Sequence, residues 1–281
     1  MAQIAVLGTG LLGTGFAVRA LANGHQVRVW NRTPAKCASI VAEGGVQGET
    51  PADTVAGCER VHLVLSADDA VDSVIEAMKP GLDPDAWIVD HSTNLPERVA
   101  MRCARLRLEG IQYIHAPVFM GPSHSREGSG QMLISGPETS IGVLRPALEE
   151  MTGTLSVIGP RDEDAAVHKI LGNGLIIGLS ALGGDLLKAA RASGFRDEQT
   201  LAALRLFSPM TSRMAARVAG HHTSETTFRL DMASKDIGLL LRAGAASPLS
   251  VLPGLGESMD AHIRAGCGRE NYTVAFASET D

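Results

Sequence analysis

The fold is decided by a stretch near the start of the chain, Ile4-Ala5-Val6-Leu7-Gly8-Thr9-Gly10-Leu11-Leu12-Gly13. Its leading apolar residues predict a short buried strand, and the glycines that follow have the spacing GxGxxG. A helical apolar pattern then runs to Leu21, Gly24 ends it, and residues 25–30 alternate between polar and apolar as a strand does. Strand, glycine turn, helix and strand within about thirty residues predict one βαβ unit.

In this context the glycine motif predicts a dinucleotide site. The first glycine permits a tight turn, the second lets a pyrophosphate approach the backbone, and the third lets the helix pack against the strand. The N-terminus of the helix adds free N–H groups and partial positive charge, which favour phosphate. The predicted cofactor-binding residues are Gly8, Thr9, Gly10, Leu11, Leu12 and Gly13.

The end of the second strand predicts which dinucleotide is bound. An NAD site usually has Asp or Glu there to accept hydrogen bonds from the ribose 2′-hydroxyl, and a carboxylate would repel a 2′-phosphate. This chain has Asn31, Arg32 and Thr33 instead. Because arginine binds phosphate through charge-assisted and often bidentate hydrogen bonds, these three residues predict NADP(H) rather than NAD.

Strand and helix patterns alternate up to about residue 160. Further strands are predicted at residues 61–65, 87–90, 113–118 and 131–135, with helices at 35–42, 69–78 and 95–108. This alternation predicts an α/β fold of the Rossmann type, in which a parallel sheet has helices on both faces.

The rest of the chain carries helical patterns. An apolar segment without proline, residues 162–192, predicts one long helix of about 45 Å. Helices are also predicted at residues 198–207, 211–218, 230–243 and 255–265. We therefore predict two domains, an NADP-binding Rossmann domain over residues 1–160 and an all-α domain for substrate binding and dimerisation over residues 161–281.

Composition excludes several classes of function. A net charge of −6 and the lack of a Lys/Arg run give no electrostatic footprint for nucleic acid. The cysteines have spacings that suit neither a zinc site nor a disulfide framework, so we expect reduced thiols and no metal. With no basic leader and no apolar run near the ~20 residues of a membrane span, we expect a cytoplasmic protein without a membrane contact.

Ordered motifs along nearly the whole chain resemble the β-hydroxyacid dehydrogenases, the group of 3-hydroxyisobutyrate dehydrogenase, tartronate semialdehyde reductase and 6-phosphogluconate dehydrogenase. After the glycine motif come D-x-S-T-x-x-P at 90–96, A-P-V at 116–118 with Gly121, K-x-x-x-N at 169–173 and K-D at 235–236. The resemblance implies an NADP(H)-dependent oxidoreductase. It would transfer a hydride between the nicotinamide and a carbonyl or alcohol substrate, a β-hydroxyacid or a related aldehyde or ketone.

The resemblance also assigns roles to single residues. It implies that Lys169 is the general acid and base and that Asn173, on the same helix face, is its catalytic partner. Asn173 would hydrogen-bond either the substrate oxygen or Lys169 without adding charge. Lysine performs this chemistry where burial or nearby cations depress its pKa. Asp236 is expected to be a structural partner. Further residues are implied in binding the cofactor (Leu65, Ser66, Thr93 and Lys235) or the substrate (Ser92).

An alternative for Ser92 and Thr93 is purely structural. Serine and threonine hydroxyls are typical of turns and of helix caps. A helix is predicted to begin near Leu95, directly after these two residues. A cap at this helix is therefore compatible with the same sequence.

The chain departs from the family pattern D-A-P-V-S-G-G at one place, where it reads His-Ala-Pro-Val-Phe-Met-Gly over residues 115–121. His115 replaces a carboxylate and is expected to be a core histidine. Phe119 and Met120 replace a small Ser-Gly pair whose size, in the family, leaves room for a substrate carboxylate. With Gly121 they are predicted to line the substrate site. Their bulk predicts a larger or less charged carbonyl compound than a small hydroxyacid.

Two other functions and an assembly stay open. Residues 30–33 and 66–71 resemble imine reductases, although those enzymes usually lack the lysine. A nucleotide-binding sensor without catalysis is the second alternative, and the intact pair of Lys169 and Asn173 argues against it. Because a second copy most easily buries the apolar surface of the glycine-rich helix, we predict a homodimer or homotetramer.

Overall fold

A computed structural model describes residues 1–221, 225–246 and 249–277. The chain divides into two units, Met1–Lys169 and Ile170–Asp281, each of which packs mainly against itself. The division lies inside one long helix, whereas the boundary predicted at residue 160 directly follows the last strand of the first unit.

The first unit contains a parallel sheet, which confirms the predicted Rossmann fold. Its strands are β1 (Gln3–Leu7), β2 (Gln26–Trp30), β3 (Val46–Gln47), β4 (Arg60–Leu63), β5 (Trp87–Asp90) and β6 (Gln112–His115). They are ordered β3-β2-β1-β4-β5-β6. The chain therefore changes direction across the sheet between β1 and β4, where ligands bind in folds of this kind.

The helices of the first unit pack on both faces of this sheet or beside it. They are α1 (Leu11–Ala22), α2 (Ala38–Ala42), α3 (Pro51–Val55), α4 (Asp68–Met78), α5 (Pro96–Leu108), α6 (Pro122–Glu127) and α7 (Glu138–Glu149). Ala5 and Leu7 pack into the core formed with α4 and α5. Ile4 and Val6 pack into the core formed with α1 and α2. Because alternate residues of β1 pack on opposite faces of the sheet, the four residues after Gln3 are all apolar and buried, as is typical of parallel sheets.

The prediction of one continuous strand over residues 113–118 is wrong, because the structure has two strands there that belong to different sheets. β6 ends at His115, and a separate sheet is formed by β7 (Val118–Phe119), β8 (Gln131–Ser135) and β9 (Thr154–Gly159), in that order. Pro117 lies between β6 and β7 and has no N–H to continue a ladder. Its carbonyl instead accepts a hydrogen bond from the Leu133 amide at 2.8 Å, which leads the chain into the second sheet.

The long helix predicted at residues 162–192 is confirmed as α8 (Asp164–Ala192), with 29 residues. It is followed by α9 (Asp197–Phe207), α10 (Pro209–Ala219), α11 (Leu230–Ala243) and α12 (Leu252–Arg264). Glycines of α8 permit close packing in the second unit. A Cβ on Gly183 would lie 2.9 Å from Cα of Ala215, and one on Gly184 would lie 2.5 Å from the carbonyl oxygen of Phe276.

The length and composition of α8 are also those of a membrane span. An 18-residue window has a mean hydropathy of 1.6, which differs from the expectation that no apolar run approaches membrane length. About 44% of that window is buried inside the protein. Core helices of water-soluble proteins pass the same test, and the close contacts of Gly183 and Gly184 are those of a core helix.

Candidate active site

The glycine loop after β1 has the tight geometry that its motif predicts. Gly8 has φ of +102°, and a Cβ on it would lie 2.3 Å from the Val64 carbonyl oxygen. A Cβ on Gly13 would lie 1.9 Å from the Gly8 carbonyl oxygen. A Cβ on Gly10, by contrast, has no atom within 4 Å. Gly8 and Gly13 thus serve the fold, whereas the open space at Gly10 fits the close approach of a pyrophosphate.

The N-terminus of α1 completes this cradle. Its N-cap residue is Gly10, which has no side chain to accept hydrogen bonds from the amides of the first turn. The helix has 12 residues, so its dipole adds partial positive charge at the same place. The residues present therefore fit the phosphates of a dinucleotide.

Asn31 joins the end of β2 to the glycine loop. Its Oδ1 accepts a hydrogen bond from the Thr9 amide at 3.2 Å, and its Nδ2 donates to the Thr33 carbonyl oxygen at 3.0 Å. Arg32 beside it is exposed, and its guanidinium has no hydrogen bond or ion pair within the described residues. Asn31 thus shapes the turn, and Arg32 is available to a ligand.

The loops that follow β4 and β5 meet beside the glycine loop. The buried Ser92 hydroxyl accepts a hydrogen bond from the Leu65 amide at 2.9 Å. Thr93 is half-buried and Ser66 is exposed. The predicted residues Gly8, Leu65 and Ser92 are therefore brought to one edge of the sheet by the carboxyl ends of β1, β4 and β5.

The buried carboxylate of Asp90 holds the loop after β5 in place through hydrogen bonds. Asp90 has no exposed surface and accepts hydrogen bonds from the Ser92 amide at 2.9 Å, Asn94 Nδ2 at 2.7 Å and the Tyr113 hydroxyl at 2.8 Å. Burial, together with this carboxylate, raises the pKa of Tyr113 well above its usual range, so the phenol keeps the proton that it donates. The D-x-S-T motif pointed to this loop but not to the structural role of its aspartate.

The structural alternative for Ser92 and Thr93, a cap at α5, is not what the structure shows. The N-cap residue of α5 is Leu95, and its amide donates to Asp68 Oδ2 at 3.0 Å. Asp68 also forms an ion pair with the buried Arg102 at 3.0 Å. The amide of the N-cap residue of α5 is thus hydrogen-bonded by a carboxylate of α4 that is itself paired with arginine.

Three buried histidines, His62, His91 and His115, lie in or directly after the neighbouring strands β4, β5 and β6. His62 Nδ1 is 3.0 Å from His91 Nε2, and His91 Nδ1 is 2.7 Å from the Ala116 carbonyl oxygen. Because a carbonyl only accepts, His91 carries its proton on Nδ1, and His62 Nδ1 is the donor to His91 Nε2. His62 Nε2 is then a buried acceptor that has no partner among the described residues. His115 is buried as expected and donates through Nε2 to the Ser92 carbonyl oxygen at 2.9 Å.

We expect these histidines to make the protein sensitive to acid. Burial holds the pKa of His62 well below its usual range, lowers that of His91 to about 4, and lowers that of His115. The unfolded chain then binds more protons than the folded chain between pH 6.5 and about 4. The free energy of unfolding should therefore fall as the pH falls through this window, by on the order of 1 kcal/mol per pH unit from His91 alone. His62 and His115 should act in the same direction.

Urea unfolding at a series of pH values measures this slope. His62→Phe should make it shallower, whereas His168→Gln, which changes an exposed histidine, should leave it unchanged. A stability that does not vary between pH 6.5 and 4.5 would contradict the prediction.

Lys169 is buried in the first unit, with only 8% of its surface exposed. Its Nζ lies 4.3 Å from the centroid of the Phe119 ring. Met120 and Gly121, which follow Phe119, are half-buried. The structure therefore brings together a cationic general-acid candidate and the large residue that departs from the family pattern. No local sequence signal predicts this contact, because the two residues are far apart in the chain.

Three further polar residues that the family motifs identify, Asn173, Lys235 and Asp236, lie in the second unit. Asn173 is buried on α8, and its Nδ2 donates to Asp236 Oδ2 at 2.5 Å. Lys235 Nζ lies 2.7 Å from Asp236 Oδ1. Asp236 thus contacts both Asn173 and Lys235, and its expected role as a structural partner stays a prediction.

Comparison with known families agrees with these features. Residues 3–159 match the family model of the NAD binding domain of 6-phosphogluconate dehydrogenase. A relative from Shewanella frigidimarina, described as an uncharacterized oxidoreductase, is 26% identical over 264 residues, which is 90% of each chain.

Solved structures confirm the predicted fold. The 3-hydroxyisobutyrate dehydrogenase of Mycobacterium tuberculosis, determined with L-serine, has a TM-score of 0.85 at 18% identity and covers 98% of both chains. An imine reductase from Myxococcus stipitatus in complex with NADP⁺ has a TM-score of 0.64 at 21% identity and covers 97% of this chain and 98% of the reductase. At these identities the likeness concerns the fold.

Proposed function

This chain belongs to the family defined by the NAD binding domain of 6-phosphogluconate dehydrogenase, and from that premise we propose that it is an NADP(H)-dependent reductase of a carbonyl compound, with Lys169 as general acid. Its family and its relatives make it an oxidoreductase with a dinucleotide-binding domain. The proposal adds four points to this: a preference for NADP(H), the substrate class, the role of Lys169 and a cytoplasmic location.

The observation that carries the proposal is the buried lysine. Lysine is almost never buried without a compensating interaction, because its ammonium group loses hydration. Lys169 is nevertheless buried, and it occupies the first position of the K-x-x-x-N motif. Its contact with an aromatic ring supports a positioned ammonium group rather than a solvated one.

Lys169 would act as the general acid in carbonyl reduction and as the general base in the reverse reaction. When bound, the reduced nicotinamide supplies a hydride to the carbonyl carbon. Lys169 holds the proton that the carbonyl oxygen takes up as it becomes a hydroxyl, and in the reverse direction it accepts that proton. Its charge also stabilises the negative charge that develops on the oxygen. The role of Asn173 rests on the motif, since an uncharged amide hydrogen-bonds a substrate oxygen without adding charge.

The glycine loop and the neighbouring turns would hold the cofactor. The backbone of residues 8–13 fits the pyrophosphate, and Arg32 on the adjacent turn would bind a 2′-phosphate. Asn31 and Thr33 form that turn. Leu65, Ser66 and Thr93 lie in the loops at the same edge, and they remain proposed contacts of the cofactor, as does Lys235 of the second unit.

Arg32→Ala should discriminate between the two nicotinamide cofactors. We expect the KM for NADPH to rise by about 10- to 100-fold, because a charge-assisted hydrogen bond contributes roughly 1.5–3 kcal/mol. The KM for NADH, which has no 2′-phosphate, should change little. Arg145→Ala is the control, since Arg145 is partly exposed and paired with Glu149 at 3.3 Å. An equal rise for both cofactors would assign Arg32 to the turn rather than to the phosphate.

The residues at the end of β7 and directly after it point to the substrate class. Phe119 and Met120 present a ring and a thioether, neither of which donates a strong hydrogen bond to a carboxylate. We therefore propose a carbonyl substrate with an apolar group on this side. A kcat/KM of order 10⁴ M⁻¹s⁻¹ or more for 3-hydroxyisobutyrate or tartronate semialdehyde would reject this substrate class.

A second copy of the chain is the proposed partner. An exposed apolar stripe follows one face of α8 with the spacing of a helix interface: Leu171, Leu175, Leu182 and Leu186 are 54%, 59%, 50% and 37% exposed. Leu175→Glu is expected to convert a homodimer or tetramer into a smaller species, as measured by light scattering at micromolar concentration. Leu108→Glu, at a 91% exposed position of α5, is the matched control. A wild-type monomer would contradict this assembly.

The proposed activity is tested with NADPH and NADH against a panel of aldehydes, keto acids and cyclic imines. We expect oxidation of NADPH with a carbonyl member of the panel. Turnover of a cyclic imine alone would favour the imine reductase alternative. Tight binding of NADPH without turnover of any member would favour the sensor.

A further inference from the structure

We propose that Phe119 is a positioning residue for Lys169, and that its ring holds the lysine ammonium in place for proton transfer. The catalytic meaning of this contact rests on the proposed function, whereas the contact itself does not. The distance of 4.3 Å between Nζ and the ring centroid is well inside the ~6 Å range of cation–π attraction. The attraction is stronger in a desolvated site, and Lys169 is buried.

The backbone that carries the ring is fixed on one side by the second sheet. Phe119 pairs with Gln131 and Val118 pairs with Met132 between β7 and β8. Gly130 has φ of +81°, and a Cβ on it would lie 3.2 Å from the Phe119 carbonyl oxygen. The ring therefore projects from an anchored strand rather than from a free loop.

The segment after Phe119 leads into α6, which is held against α1. α6 packs against α1, where a Cβ on Gly15 would lie 2.0 Å from Ser125 Oγ. The Ser125 hydroxyl donates to the Pro122 carbonyl oxygen at 2.9 Å. Phe119 is thus connected through a short, packed segment to the helix whose N-terminus forms the proposed phosphate cradle.

An aromatic ring suits a general acid better than a carboxylate in this place. A carboxylate would form an ion pair with the ammonium and would compete with the substrate oxygen for its protons. The face of a phenyl ring attracts the charge but accepts no strong hydrogen bond, so the N–H groups stay directed at other acceptors. Phe119 therefore restrains Lys169 without drawing its proton away.

The contact is tested directly by NMR of protein labelled with ¹³C at lysine Cε. The chain has few lysines (Lys36, Lys79, Lys169, Lys188 and Lys235), so the signals are readily assigned, with Lys169→Met identifying the relevant one. The ring current of Phe119 should displace the Lys169 signal upfield of the others. Phe119→Leu should remove the displacement and Phe119→Tyr should retain it. Identical Lys169 signals in the wild type and in Phe119→Leu would overturn the proposal.

Kinetics test whether the contact matters for turnover. Phe119→Leu should lower kcat by about 3- to 30-fold with little change in KM for NADPH, and Phe119→Tyr should restore most of the loss. If Lys169→Met abolishes turnover while Phe119→Leu has wild-type kcat, the positioning role is wrong and the proposed function stands. If the wild type has no turnover but the ring displaces the lysine signal, the contact stands and the proposed function is wrong.

Discussion

Lys169→Met is expected to lower NADPH-dependent turnover of the substrate by 10²- to 10⁴-fold, the range that general acid catalysis contributes. Methionine retains the apolar stem that packs in the buried site and removes the group that holds the proton. The Kd for NADPH, measured by fluorescence titration, should change by less than about threefold, because Lys169 is assigned to the proton and not to the phosphates.

Lys188→Met is the matched control, since it changes a partly exposed lysine of the same helix. It should leave kcat and the melting temperature near wild-type values. If Lys169→Met retained wild-type kcat with a folded protein, the proton would come from another group and the proposed mechanism would be wrong.

The second large effect is expected from alanine substitutions of two glycines in the GxGxxG motif, one of which should weaken NADPH binding and the other should destabilise the fold. Gly10→Ala should fold normally, because its Cβ would have no atom within 4 Å, but its Kd for NADPH should rise by at least about 10-fold as the methyl group meets the pyrophosphate. Gly13→Ala should destabilise the protein by about 3 kcal/mol or more, because its Cβ would lie 1.9 Å from a backbone oxygen.

Thermal unfolding and NADPH titration on the same samples separate these effects. A loss of about 3 kcal/mol corresponds to roughly 6–12 °C in melting temperature for a chain of this size. Gly142→Ala, in α7 with no atom within 4 Å of the added Cβ, should be neutral or slightly stabilising. Unchanged NADPH affinity in Gly10→Ala would show that the cradle does not hold the phosphates.

Local patterns predicted much of this fold. The glycine motif and its flanking strands gave β1, α1 and β2 because their spacing is set by one turn and one helix. The helix predicted at residues 230–243 matches α11 at both ends, since its apolar face repeats regularly and Gly244 follows it. The long α8 was predictable because a run of apolar residues without proline has no other stable structure of that length.

Elements with mixed signals were not predicted. α7 contains Pro146 and an exposed Gly142, which are typical of helix breaks, and it forms because tertiary packing buries Ile141, Leu144 and Leu148. β9 has no fully buried residue and lacks a clear alternation. Its position is decided by its pairing with β8, a contact that the local sequence does not encode.

The candidate site was predicted as a set of residues rather than as a geometry. The motifs identified Lys169 and Phe119 separately, but only the three-dimensional structure places the ammonium over the ring. The same holds for Asp90, because its hydrogen bond from Tyr113 joins two strands that are adjacent in the sheet and separate in the chain.

The central claim, that this chain transfers a hydride from NADPH to a carbonyl carbon, is tested most directly with NADPH carrying deuterium at the transferable position of the nicotinamide. The protein is incubated with this cofactor and the substrate panel, and the products are examined by mass spectrometry. We predict an alcohol with one deuterium on its carbinol carbon, formed at similar rates by the wild type and by Lys188→Met and at least about 100-fold more slowly by Lys169→Met. Tight NADPH binding with no deuterium in any alcohol product would contradict the claim.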